Sequence, residues 1–243
     1  MYPKNRIELI QAIFQQTHLQ YYLEIGCRKG RSFLPIKAKY KMVVDPAFAI
    51  PFYRKWKWGI KVPENANNQY FEETSDDFFA KRSSLIKQLD VVLVDGLHTY
   101  RASLLDALNS LKYLNKDGII IFHDCLPPNR AAAMPTELFP TKKEKRSIPG
   151  WTNEWCGDVY KTIIYLRKAM PESLDALVVN TDYGLGILRL KTKIDASQLV
   201  INEELFDEID QIDYDLLLAD TKNLINLKDS QYTRVILEEM AEK

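Results

Sequence analysis

The feature that most restricts the fold is an alternation along residues 6–124. Short β-branched or apolar runs ending in an acidic residue alternate with longer stretches of helical spacing. A chain that returns through a helix after each strand lays its strands parallel, so the pattern predicts βαβ units. It places a helix over about Arg6 to Gln16 and strands at Tyr21 to Ile25, Lys41 to Val44, Asn68 to Phe71, Val91 to Val94 and Ile119 to Phe122. Leu104, Leu105, Leu108, Leu111 and Leu114 share one helical face, and Asp117-Gly118 is expected to stop that crossover helix. Another helix is expected over about Asp158 to Ala169, ended by Pro171. Leu177 to Val179 and Leu185 to Leu190 then flank the turn-forming Asn180 to Gly184 as a hairpin closing the sheet.

Two segments lie outside this alternation. Residues 125–157 hold Pro127, Pro128, Pro135, Pro140, Pro149 and Gly150 with little periodicity, which predicts a long loop or lid leaving a strand end. In the tail, Leu205, Ile209, Ile212 and Leu216 have the spacing of one amphipathic helix, packed on the domain or on a second subunit. The expected layout is therefore one domain over 1–190 and a helical extension over 191–243, with a homodimer as the alternative use of that tail.

Composition narrows the function classes. The 243 residues include 33 basic and 33 acidic side chains, and residues 191–243 carry a net −7. The remaining +7 is too small for a dedicated nucleic-acid binder, in which each phosphate contact uses its own cation. No apolar run approaches the roughly 18 residues of a membrane span, so no membrane partner is expected. Three cysteines without C-x-x-C spacing argue against a disulfide framework or structural zinc, and for a cytoplasmic setting.

The sharpest local signal is Glu24-Ile25-Gly26-Cys27-Arg28-Lys29-Gly30-Arg31-Ser32, a strand running into an acidic residue and two glycines. Glycines there permit positive φ and close approach of a ligand, and a following helix N-terminus would offer free N–H groups. A dinucleotide loop needs G-x-G-x-x-G, but Arg28 and Arg31 occupy its second and third glycine positions, which disfavours NAD. Val43-Val44-Asp45 ends the next strand in a carboxylate able to accept ribose hydroxyls. Thr74, Ser75 and Asp76 follow the third strand, as a helix cap or as nucleoside contacts. The blocks Asp95-Gly96-Leu97-His98-Thr99-Tyr100 and Phe122-His123-Asp124 end two further strands.

Together these residues resemble class I S-adenosylmethionine-dependent methyltransferases, in the branch of small-molecule and sugar O-methyltransferases with D-G-x-H and H-D motifs; the likeness covers roughly residues 20–190. The resemblance implies an α/β, Rossmann-like, doubly wound seven-stranded sheet. It implies S-adenosylmethionine held by Glu24, Gly26, Cys27, Gly30, Ser32, Asp45, Ser75, Asp76 and Asp95. The acceptor would be a small-molecule hydroxyl, with no Asn/Asp-Pro-Pro-Tyr stretch to bind an amine. A neutral alcohol is a poor nucleophile, so the site must deprotonate or polarise it. Asp95, His98 and Asp124 are the candidate catalytic residues, His98 as general base. Asp95, His123 and Asp124 are the candidate ligands of Mg²⁺ or Mn²⁺; metal-using relatives commonly have an acidic residue where this chain has His123, which favours the softer ion. Without a metal, His98 or His123 serves as base and Asp124 orients it. Trp151, Trp155 and Tyr160 could wall the acceptor, and His18 is read as structural. The competing reading is a catalytically silent S-adenosylmethionine-binding partner or sensor, which would tolerate loss of His98.

Overall fold

The structure is a computed structural model and describes residues 2–135 and 140–242. Seven strands, β1 (Tyr21–Ile25), β2 (Tyr40–Val44), β3 (Gln69–Phe71), β4 (Leu89–Val94), β5 (Leu114–Phe122), β6 (Leu174–Val179) and β7 (Leu185–Leu190), form one sheet in the order β3-β2-β1-β4-β5-β7-β6. The first five in that order run parallel, and β7 runs antiparallel to both β5 and β6. All six residues of β4 are buried, as a strand covered on both faces requires. This is the parallel βαβ core that the alternation predicted, within the doubly wound seven-stranded α/β sheet that the resemblance implied.

The helices are α1 (Arg6–Gln16), α2 (Phe52–Lys61), α3 (Ser75–Lys81), α4 (Tyr100–Leu111), α5 (Lys142–Ser147), α6 (Tyr160–Ala169), α7 (Glu203–Asp210), α8 (Tyr214–Ala219), α9 (Thr221–Ile225) and α10 (Tyr232–Ala241). One apolar core joins a face of the sheet to α3, α4, α6 and α7–α9 through Phe78, Leu104, Ile163, Phe206 and Leu217. The other core joins the opposite face to α1 and α10 through Leu9, Ile13, Ile236 and Met240. Phe206 stacks on Tyr100 with ring centroids 4.2 Å apart, which fastens α7 over α4.

Three details depart from the pattern. The tail is four helices instead of one: Asp213 accepts from the backbone N–H groups of Asp215 and Leu216 and so caps a new helix where the apolar spacing continues unbroken. Leu114 and Asp117-Gly118 belong to β5 and not to a helix end. A register shift between Leu89 and Val91 accommodates them, and a Cβ on Gly118 would lie 2.8 Å from the Asp90 carbonyl oxygen. Residues 28–35 form turns instead of the helix expected after the glycine loop. The lid contains α5 and the bends around it; its residues 136–139 lie outside the described residues.

Asp90 pins the amino-terminal edge of the sheet. Its buried carboxylate accepts from the backbone N–H groups of Gln20 and Tyr21 and from the side-chain amides of Gln88 and Asn115. Asp90→Ala leaves these donors unpaired and should cost roughly 3 kcal/mol, or about 6–12 °C in Tm in a thermal unfolding scan.

Candidate active site

Register assembles the site. Ile25 pairs with Val44 and with Val94, and Val94 pairs with Phe122, so Gly26, Asp45, Asp95 and His123 each follow a strand at one common edge. Backbone bonds carry the alignment one step further: Gly26 N–H donates to Val44 O, Asp95 N–H to Ile25 O and His123 N–H to Val94 O. Carboxyl edges of parallel strands are where such sheets bind ligands.

On one side of this edge lies the glycine loop. Gly26 has φ +82°, and a Cβ there would lie 2.2 Å from Asp95 O and 2.3 Å from the Gly96 Cα, so only glycine lets the two loops meet. Asp45 Oδ2 accepts from the N–H groups of Cys27 (2.9 Å) and Arg28 (2.6 Å), and Oδ1 accepts from Ala47 (2.8 Å). Asp45 is thus the brace of the loop, with acceptor capacity remaining on Oδ1. Burial pushes the Cys27 thiol above its ordinary range.

Glu24 lies deeper than the pattern suggested. It is fully buried and accepts from Tyr22 Oη and Ser32 Oγ, both at 2.6 Å, so Glu24 and Ser32 face each other inside the loop and do not open to a cleft. Burial raises the Glu24 carboxyl from 4.5 to about 7 despite these two bonds. A carboxyl that binds its proton more tightly when folded favours the fold at low pH. This contribution is fully present below about pH 4.5 and is lost as pH rises through 7. We expect the stability of wild type relative to Glu24→Gln to fall by roughly 3 kcal/mol between pH 4.5 and 7.5, read from paired denaturant titrations.

Ser75 and Asp76 form the first turn of α3, capped by Thr74. Near Ser75 lies Asp106, a buried α4 carboxyl that burial raises to about 7. Asp106 was not anticipated: in the sequence it is one acidic residue within a leucine-rich helix.

The other side of the edge holds a cluster of charged groups. Asp95, at the end of β4, and Asp124, one residue beyond His123 at the end of β5, flank His98. Asp124 Oδ2 lies 3.3 Å from His98 Nδ1, and Asp95 Oδ1 lies 3.7 Å from His98 Nε2. The Trp155 carbonyl accepts at 2.9 Å from His98 Nδ1, which assigns a hydrogen to Nδ1, so that in the neutral ring the lone pair falls on Nε2. The Trp155 indole stacks on the imidazole, with centroids 4.8 Å apart and planes 26° apart. Gly157, at φ +62°, lets the lid reach this far, because a Cβ there would lie 1.8 Å from the His98 carbonyl oxygen. Asp124 itself has φ +66°, a costly conformation for a residue with a side chain.

His123 Nδ1 lies 2.9 Å from Asp124 Oδ2 and 3.4 Å from Asp95 Oδ1. Two residues absent from the sequence reading complete the group. Arg6 Nη1 donates to Asp182 Oδ2 at 2.9 Å and lies 2.8 Å from His123 Nε2, while its Nη2 lies 3.4 Å from Asp95 Oδ2. Asp182 comes from the β6–β7 turn, where it and Tyr183 both have positive φ. One signal was available: Arg6 opens α1, and a cation at a helix N-terminus is disfavoured unless a carboxylate faces it.

Proton affinities follow from this crowding. Burial lowers that of His98, but Asp95 and Asp124 prevail, and the net shift is upward from 6.5. Burial likewise lowers His123 while Asp124, Asp182 and Asp95 raise it, with a net rise. Arg6 restrains that rise, since a guanidinium offers only donors and its contact with Nε2 is satisfied only while that nitrogen keeps its lone pair. Burial raises Asp95, but His123, His98 and Arg6 together hold it well below the carboxylate range.

Among the described residues, Asp95, His98 and Asp124 offer ligand atoms within 4.8 Å of one another. This set contains His98 where the sequence reading placed His123. Beside the lid, a cavity of about 490 Å³ is lined by Ala131, Met134, Ile148, Tyr160 and Tyr214. Met134 in its lining accepts through its carbonyl from Trp155 Nε1 at 3.0 Å, but none of Asp95, His98, His123 and Asp124 lines the cavity. Tyr160 is otherwise a core residue, its Oη donating to Ile212 O.

Residues 23–125 match the family described as a methyltransferase domain, a span that holds both sides of the edge just described. Over that span the chain is similar to methyltransferase domains. Its fold recurs in a Staphylococcus aureus protein assigned as a caffeoyl-CoA O-methyltransferase, at 15% identity and TM-score 0.51 over 76% of this chain and 82% of that one. It recurs also in a Bacillus cereus O-methyltransferase solved with S-adenosylhomocysteine, at 13% identity and TM-score 0.50 over 75% of this chain and 78% of that one. No curated protein matches the sequence. Among the described residues no helix is long and apolar enough to cross a membrane.

Proposed function

We propose that this protein transfers a methyl group from S-adenosylmethionine to a hydroxyl of a small molecule, with His98 as general base. The observation that carries the reading is His98 itself: a ring fixed by the Trp155 carbonyl and indole with Nδ1 as the donor, and carboxylates on either side. The family match and the strand-edge loop around Gly26 support the methyl donor.

In this mechanism Gly26, Cys27, Gly30, Asp45, Ser75, Asp76 and Asp95 border the donor, while Glu24 and Ser32 hold the loop's shape from beneath. The donor supplies a methyl carbon on a sulfonium sulfur, and in-line attack by oxygen leaves the bonding pair on that sulfur. His98 Nε2 takes the hydroxyl proton, and Asp95 and Asp124 stabilise the imidazolium that results. Arg6 and Asp182 keep Asp95 and His123 in place.

A metal-assisted variant rests on the convergence of Asp95, His98 and Asp124, with His123 beside them. Two carboxylates and an imidazole fit Mn²⁺ better than Mg²⁺, and a cation held there would polarise the acceptor hydroxyl. It would engage His98 as a ligand, so the two variants separate experimentally: the His98-base reading expects turnover to survive EDTA, and loss restored by Mn²⁺ would replace it.

The test is release of S-adenosylhomocysteine with a panel of hydroxylated acceptors, followed across pH. The base acts when neutral, so kcat/KM should rise with pH through a midpoint above 6.5, the direction of the His98 shift. Asp95→Asn removes a carboxylate that raises His98, so its midpoint should move to lower pH with a smaller kcat. A midpoint that Asp95→Asn leaves in place would remove His98 from this role.

A further inference from the structure

Helix α2 wears its amphipathic pattern inside out. Phe52, Trp56 and Ile60 repeat every four residues along one stripe with Tyr53 beside them, and these side chains are 83%, 65%, 65% and 64% exposed. The helix is held to the domain from its opposite side. Trp58 packs on the core of the α1 face, and Arg54 Nη1 donates to Lys29 O at 2.8 Å. No residue of α2 is buried. An ordinary surface helix buries its apolar stripe and wets its polar one.

The surroundings are as one-sided in charge as the stripe is in polarity. Residues 28–61 contain ten Lys or Arg and a single acidic residue, Asp45, and within α2 Lys55 and Lys57 flank the apolar stripe. The tail over 191–243 carries a net −7, so the charge of the molecule is segregated. Phe, Tyr, Trp and Ile on one face with lysines at its margins is the pattern of a helix lying in the headgroup region of an anionic bilayer. Nucleic-acid grooves and phosphates would use the lysines but leave the four apolar side chains unexplained.

We propose that α2 docks the protein on an anionic lipid surface, with Phe52, Tyr53, Trp56 and Ile60 inserted at headgroup depth and Lys55 and Lys57 against lipid phosphates. Peripheral docking needs no spanning helix, so it is compatible with the lack of one among the described residues. The proposal is independent of the methyl-transfer reading, since none of these residues belongs to the site.

The test is co-sedimentation of the full chain with vesicles of phosphatidylglycerol and phosphatidylcholine, against vesicles of phosphatidylcholine alone. We expect binding to the anionic vesicles, weakened by added salt, and at least roughly tenfold weaker binding to the neutral ones. F52S/W56S and K55E/K57E should each reduce anionic-vesicle binding by roughly tenfold or more, with circular dichroism unchanged. Absence of vesicle binding by the wild type would overturn the proposal. So would binding that F52S/W56S leaves intact, which would mark a general electrostatic attraction. A dimer seen by sedimentation velocity that F52S/W56S dissolves, with no vesicle binding, would assign the stripe to a second copy instead.

Discussion

His98→Ala is expected to lower kcat by roughly 10²- to 10⁴-fold while leaving S-adenosylhomocysteine affinity within about threefold of wild type. The size follows from the chemistry, because without the imidazole the acceptor oxygen must attack while still carrying its proton. The selectivity follows from the geometry. The Asp45 contacts that brace the glycine loop involve Cys27, Arg28 and Ala47, none of which touches His98. Rapid-mix turnover and calorimetric titration of the same preparation check both halves. A catalytically silent sensor of the methyl donor would bind equally well with or without His98 and show no turnover to lose.

Gly26→Ala should be the most damaging single-methyl change in the donor side of the cleft. The added carbon would lie 2.2 Å from Asp95 O and 2.3 Å from the Gly96 Cα, both backbone atoms, and φ +82° is itself strained for alanine. One of two adjacent strand ends must move, and both carry site residues. We expect a loss of roughly 3 kcal/mol in stability, about 6–12 °C in Tm, together with at least roughly tenfold weaker donor binding. Gly59→Ala, at a helical glycine with nothing within 4 Å of the added carbon, is the control and should leave donor binding unchanged while raising stability by roughly 0.5–1 kcal/mol.

The parallel sheet was legible because its central strands are buried on both sides, which forces continuous apolar runs, and because helices must return the chain between them. The strands Tyr21–Ile25 and Leu185–Leu190 fall where the sequence placed them. What failed did so for local reasons. Leu114 satisfies a helical spacing as well as a strand, and the register shift beside Leu89 decided for the strand. The tail's apolar spacing persists across 211–213, but the Asp213 carboxylate caps a second helix there.

Of the site, the strand-end carboxylates and His98 could be read because each stands directly after, or within four residues of, a recognisable strand. Arg6 and Asp182 could not: they lie 176 residues apart in the chain, and only the docking of α1 against the β6–β7 turn brings them together. Glu24, read as a cofactor contact from its place in the motif, lies on the same face of β1 as Tyr22, and its oxygens accept from Tyr22 and Ser32.

The central claim is that the carboxyl edge of β1, β2, β4 and β5 is a methyl-donor cleft. Calorimetric titration with S-adenosylhomocysteine, and with NADH as the comparison, tests it most directly. The account predicts saturable binding of S-adenosylhomocysteine at one site per chain, weakened in Gly26→Ala, and no binding of NADH. Binding of NADH alone, or S-adenosylhomocysteine binding that Gly26→Ala leaves unchanged, would contradict it.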